Sequence, residues 1–116
     1  MQLDFNQGRI TVVVCPIDFR LGYYRLAALA SSSLNIDITK GEDWVIFISR
    51  NRNTAKIIHC DEHGSLLITR KLNEGLFQYL TAPISGKAAR TMDKETLIRY
   101  LDGEDIEVKR TSLVKG

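Results

Sequence analysis

The chain has 116 residues, of which 44% are hydrophobic and 26% charged, a balance that suits one globular domain and excludes a disordered polyelectrolyte. With 16 Lys and Arg against 14 Asp and Glu the net charge is only +2, so any electrostatic argument rests on where the cations cluster. No apolar run approaches the ~18 residues of a membrane-spanning helix, and no basic segment with a cleavage site opens the chain, so a cytoplasmic protein is expected.

Residues 1–8 show no periodicity and end at Gly8, which reads as a frayed lead-in. Arg9 to Cys15 is a predicted strand, and its nearly continuous apolar run suggests burial on both faces and a central place in a sheet. Pro16 lacks an amide donor and biases Cys15 to extended geometry, so the strand is expected to stop there. Asp18 has the chemistry of a helix N-cap. The helix expected after it carries Phe19, Tyr23, Leu26, Ala27, Ala30 and Leu34 on one stripe, with Gly22 inside its first turns. Arg20 and Arg25 lie off that stripe, toward solvent or a partner. Ser31 to Ser33 weaken the helix end, and residues 35–41 read as its exit loop.

From Asp43 to Lys71 three runs rich in β-branched residues are separated by two short polar connections, the pattern of an antiparallel meander. Trp44, Ile46 and Ile48 share one face of its first strand, and Val45, Phe47 and Ser49 the other. Asn51 to Thr54 is the first turn, and Glu62-His63-Gly64 the second. Residues 76–80 form a short extended apolar patch, and Thr81 to Arg90, with Pro83, Gly86 and Lys87, reads as an exposed connection. A second helix is predicted from its N-cap Asp93 to Gly103 at its C-terminal cap, with Met92 stapled on Leu97, and with Leu97, Ile98 and Leu101 as the apolar face. Ile106 and Val108 alternate with Glu107 and Lys109, as in a short terminal strand, and residues 110–116 read as frayed. The fold class expected is α+β: an antiparallel β-meander sheet packed against one longer and one shorter α-helix, in a single domain spanning 1–116.

Little in this pattern carries chemistry. His59-Cys60-x-x-His63, with Cys15, suggests metal ligation, but adjacent strand residues point to opposite faces and make poor co-ligands. Core and turn roles for the histidines and buried free thiols for Cys15 and Cys60 are the plainer reading, and no metal or other cofactor is expected. Asp43, Asp61 and Asp102 have no diagnostic spacing, and no nucleophile elbow, phosphate-binding loop or dinucleotide fingerprint occurs, so no catalytic residue is assigned. The basic residues say more. Arg50, Arg52 and Lys56 flank the first turn of the meander, while Arg70 and Lys71 end its third strand. In a meander both groups fall toward one rim, where five cations would contact several phosphates. The same charges would equally serve a solvated hairpin that resists edge-to-edge aggregation.

The segment Ile17-Asp18-Phe19-Arg20-Leu21-Gly22, with Leu26-Ala27 and Leu29 beyond it, resembles the D-M-R-x-G-x-x-x-L-A-x-L segment of the second-reading-frame accessory proteins of the insertion sequence 66 transposon family. Val45-Ile46-Phe47 with Arg50-Asn51-Arg52, Lys56-Ile57-Ile58 and Asp61-x-x-Gly64 are similar to a second segment of that family. Arg70-Lys71-Leu72-x-x-Gly75-x-Phe77 and Leu97-x-x-x-Leu101-x-Gly103 continue the series, which spans roughly residues 9 to 106. Phe19 stands where the family usually has Met, Cys60 where it has Trp, and Gln78-Tyr79-Leu80 where it has Trp-Pro. These are packing changes that leave Asp18, Arg20, Arg50, Arg52, Lys56, Asp61, Arg70 and Lys71 in place.

The resemblance implies a transposition accessory protein that works beside a separate, larger transposase and carries no catalytic residue of its own. Its expected partners are transposon DNA, through Arg50, Arg52, Lys56, Arg70 and Lys71, and the transposase of the same element. Asp18, Arg20 and Arg25 form a possible second polar site. The alternatives are a protein-interaction module with no DNA contact and a small metal-dependent nuclease.

Overall fold

The runs between Asp43 and Lys71 fold as the alternation requires, into β2 (Asp43–Ser49), β3 (Thr54–Asp61) and β4 (Gly64–Lys71). In the computed structural model, which describes residues 8–17, 19–82 and 89–107, these join β1 (Arg9–Ile17) and β5 (Ala89–Thr91) in a five-stranded sheet. The helices are α1 (Tyr23–Leu34) and α2 (Lys94–Leu101), and a 3-10 turn covers Ile38–Lys40. Strand order is β4-β3-β2-β1-β5, with every pairing antiparallel except β1 with β2. A parallel neighbour needs a crossover, and α1 supplies it. The chain is an α+β fold.

The two helices cover opposite faces of the sheet. On one face Leu26 and Ala30 of α1 pack on Val13, Val45, Phe47, Ile58 and Ile38, with Phe19, Tyr23, Ala27 and Leu34 partly buried at the margin. On the other face Leu97, Tyr100 and Leu101 of α2 pack on Val12, Trp44, Ile46, Ile57, Phe77 and Leu80. The strand β2 is buried along its whole length, as the middle of such a sandwich must be.

Several expectations are corrected. The strand β1 runs past Pro16 to Ile17, with a register shift against β2 between Val13 and Ile17. Among the described residues β5 pairs β1 from Thr11 to Val13, and Pro16 lies beyond that stretch, at the register shift near the strand's end where a proline is tolerated. The first helix starts at Tyr23 with Gly22 at its N-cap, not after Asp18. A helix capped at Asp18 would need the Phe19 carbonyl to accept from the Tyr23 amide, but Lys56 Nζ donates to that carbonyl instead, at 2.7 Å. Arg90 belongs to β5 rather than to a loop. Ile106 is in no strand; it is buried in the α2 face, and its amide donates to Gln78 Oε1 at 2.6 Å. The expectations for the lead-in before Gly8, for Asp18 itself, for Pro83, Gly86 and Lys87, and for Val108 and the 110–116 tail lie outside the described residues.

The second helix is built as its sequence demands. Asp93 accepts from the Thr96 amide at 2.8 Å at the N-terminus. At the other end Gly103 takes φ +86°, with its amide donating to Tyr100 and that of Glu104 to Arg99, a pair of bonds that satisfies two terminal carbonyls.

Candidate nucleic-acid interface

Strand direction decides where the cations go. Because β1 and β2 run parallel, both carboxyl ends meet at one end of the sheet. The start of β3 and the end of β4 return to that same end, where Thr54 pairs with Lys71 and Ala55 with Arg70. The Arg20 loop, the first turn of α1 with Arg25, the β2–β3 hairpin with Arg50 and Arg52, and Lys56, Arg70 and Lys71 therefore share one end. The two polar groups distinguished in the sequence adjoin, since Lys56 Nζ donates to the carbonyls of Phe19 and Leu21 at 2.7 and 2.9 Å.

These residues divide by what already holds them. Lys56 is half-buried on the α1 face, its ammonium fixed between those two carbonyls and 5.3 Å from the Phe19 ring. It ties the loop before α1 to the sheet rather than pointing outward. Arg70 reaches to the opposite face, donating to the Leu101 carbonyl at 3.1 Å and to Asp102 at 2.9 Å, where it neutralises the end of α2. Arg52 is partly committed: it sits at φ +61°, its amide donates to Ser49, its carbonyl accepts from Phe77, and its guanidinium donates back to the Phe77 carbonyl at 3.3 Å. The side chains of Arg25, Arg50 and Lys71 are exposed and bonded to no other described residue, and Arg20 is exposed on the loop before α1.

The opposite end of the sheet is rich in carboxylates, and those of Asp37, Asp43 and Asp61 are held by partners within the fold. Arg9 forks onto Asp43 through two bonds of 3.0 Å, and the hydrogen bonds and charge of Asp43 raise the guanidinium pKa. Asp61 accepts from the amides of His63 and Gly64 at 2.8 and 3.0 Å, closing the β3–β4 turn and lowering its own pKa. Asp37 accepts from Thr39 at the start of the 3-10 turn and is lowered likewise. His59 is buried there, stacked 3.7 Å from Trp44, with its Nδ1 2.7 Å from the Asp43 carbonyl. His59 packs with the α2 face and Cys60 lies half-buried on the α1 face, whereas Cys15 is exposed rather than buried as expected; among the described residues no three metal-ligating side chains gather.

At the cationic end lies a cleft of about 240 Å³ whose lining includes Val13, Val14, Ile48, Arg50, Arg52 and Tyr79. Tyr79 is 64% exposed, with the Arg52 guanidinium 5.9 Å from its ring centroid. Its neighbours are fixed: Gln78 accepts from the Tyr100 hydroxyl at 3.0 Å, and Phe77 and Leu80 are buried. Burial pushes the Tyr100 phenol up to about 12. The residue set was not legible beforehand, because it joins positions 13, 48, 50, 52 and 79 with no sequence spacing to signal it.

A family model described as IS66 Orf2 like protein matches residues 8–111. The chain belongs to that family. The IS66 Orf2-like proteins are transposition accessory proteins, so the member described above places a cationic sheet end in a transposition context. The chain matches no curated protein and no solved structure. No helix among the described residues of this family member is long and apolar enough to cross a membrane.

Proposed function

We propose that this IS66 Orf2-like chain is a non-enzymatic, cytoplasmic accessory protein of transposition that binds transposon DNA through the carboxyl end of its sheet. The observation that supports this most is the gathering of Arg20, Arg25, Arg50, Arg52 and Lys71 at one end, opposite a carboxylate-rich end. Such asymmetry orients a protein in the field of a polyanion before any contact forms. Arg50, Lys71 and Arg25 are the phosphate ligands in this reading, since binding them breaks no bond of the fold. Lys56 and Arg70 support the surface without touching DNA.

Phosphate contact makes affinity fall with salt, by a log–log slope of about 0.9 per neutralised phosphate on duplex DNA. Three to four contacts therefore weaken binding roughly a hundredfold between 50 and 200 mM salt. Fluorescence anisotropy of a labelled duplex carrying the transposon end measures this. Absence of binding at the lower salt sinks the DNA reading.

A second reading has its own observation. The edge strand β4 has no neighbour on its outer side among the described residues, and Leu67 on it is 40% exposed. An open edge accepts a strand from a partner protein, here the transposase. Co-purification with the transposase after nuclease treatment would favour it.

A further inference from the structure

We infer that the cleft between the hairpin tip and residues 76–80 holds an unpaired nucleotide, so that the protein prefers single-stranded DNA to duplex. The inference rests on the DNA-binding reading and narrows it. Tyr79 presents its ring to solvent on a segment whose neighbours are anchored, so stacking on it orders little else. An exposed tyrosine with a guanidinium 5.9 Å from its centroid, beside two arginines, combines the two groups that single-strand sites use: an aromatic face for the base and cations for the backbone. Val13, Val14, Ile48 and Leu80 give the lining an apolar part, which suits the face of a base rather than a phosphate. At about 240 Å³ the cleft lies below the ~300–1,000 Å³ of drug-sized ligand sites, which fits one planar ring system rather than a longer ligand. A duplex keeps its bases stacked inside and offers this cleft nothing to hold.

Arg52 adds an argument from the backbone. It holds φ +61°, a left-handed conformation costing a non-glycine residue about 1–2 kcal/mol. Asparagine tolerates that conformation readily, and glycine without cost. The arginine there meets that cost with its backbone bonds to Ser49 and Phe77 and with a side chain placed between the Phe77 carbonyl and Tyr79.

The test is anisotropy of a labelled twelve-nucleotide oligothymidine and of a duplex of equal length, with the full chain and its variants. The wild type should bind the single strand more tightly. Tyr79→Leu should weaken single-strand binding about tenfold or more and leave duplex binding unchanged, and Tyr79→Phe should retain both. Arg52→Asn, which keeps the left-handed backbone but removes the bond to the Phe77 carbonyl, should weaken the single strand selectively, with a melting temperature that falls by no more than the loss of one hydrogen bond gives. Equal affinity of the wild type for both DNAs, or an unchanged single-strand affinity in Tyr79→Leu, overturns the inference while leaving duplex binding intact. Binding of neither DNA, with co-purifying transposase lost in Tyr79→Leu, makes the cleft a protein-docking site and overturns it too.

Discussion

The two ends of the sheet use charge differently. At the amino end of the parallel strands Asp43 is clamped by Arg9, and Asp61 and Asp37 close turns, so the carboxylates serve the fold. At the carboxyl end some of the cations are held by the fold and others are not. Lys56 and Arg70 are committed, while the side chains of Arg25, Arg50 and Lys71 are bonded to no other described residue. Like charges gathered at one end raise the energy of the folded state slightly, a cost that an anionic partner relieves. Proximity in a cationic cluster is therefore not evidence of contact with a ligand. What separates a structural cation from an available one is whether carbonyls or carboxylates already occupy it.

The largest effect should come from breaking the structural half of the cationic end. Lys56→Met keeps most of the stem but leaves the carbonyls of Phe19 and Leu21 without their donor. Charge-assisted bonds of this kind contribute about 1.5–3 kcal/mol, so a loss of about 2–3 kcal/mol is expected, read as a clear drop in the thermal midpoint. An unchanged midpoint would make Lys56 an available cation after all and erase the division drawn above.

Next in size are two pH effects, one from each end. Tyr100 is raised in the folded state to about 12, whereas the unfolded phenol ionises near 10. The unfolded chain thus releases its proton first, and stability present below pH 10 is lost as the pH rises toward 12. Tyr100→Phe should remove that fall, measured as a flatter denaturation midpoint over the same window. At the other end Asp61 is lowered from 3.8 by the amides of His63 and Gly64, so its stabilisation is present above that value and lost as acid protonates the folded carboxylate. Asp61→Ala should destabilise at neutral pH, and the gap from wild type should close as the pH falls below about 4. A gap that stays constant would show that the turn does not depend on the carboxylate.

How much of this division was legible beforehand follows from what each signal depends on. The meander and most of both apolar stripes were readable, because alternation and helical spacing are local. On the second helix Tyr100 rather than the expected Ile98, which is exposed, completes the buried face with Leu97 and Leu101, and Phe19 precedes the first helix. The caps Asp93 and Gly103 were readable for the same reason. The parallel pairing of β1 with β2 was not, since an apolar run marks an interior strand without naming its neighbour. That pairing is what brings the Arg20 loop beside the hairpin. The three residues of β5 are too few to show a period. Lys56 looked outward because a hairpin flank is usually solvated; only the arrival of the Phe19 and Leu21 carbonyls from a distant loop turns it inward. Asp18 had the chemistry of a cap, but a capping residue alone does not fix where the first turn closes, and the first helical bond runs from the Leu26 amide to the Gly22 carbonyl.

The smallest expected effect on folding is also the one that bears most directly on function. Arg50→Glu with Lys71→Glu removes no hydrogen bond or ion pair to another described residue, so the melting midpoint should stay within about 0.5 kcal/mol of wild type. Both residues lie at the cationic end, on the hairpin and at the close of β4, and reversing them replaces two attractive phosphate contacts with two repulsive ones. Duplex and single-stranded affinity should then fall together and the salt slope should drop by about 2, one contact for each residue. Tyr79→Leu is expected to spare the duplex, so the two variants report on different parts of the surface. A folded double variant that still binds with the wild-type salt slope would move the phosphate contacts away from this end, to Arg20 and Arg25 or off the sheet altogether. Coupled with an intact Lys56 effect, that outcome would mean that the available cations of this end are as incidental to binding as the committed ones.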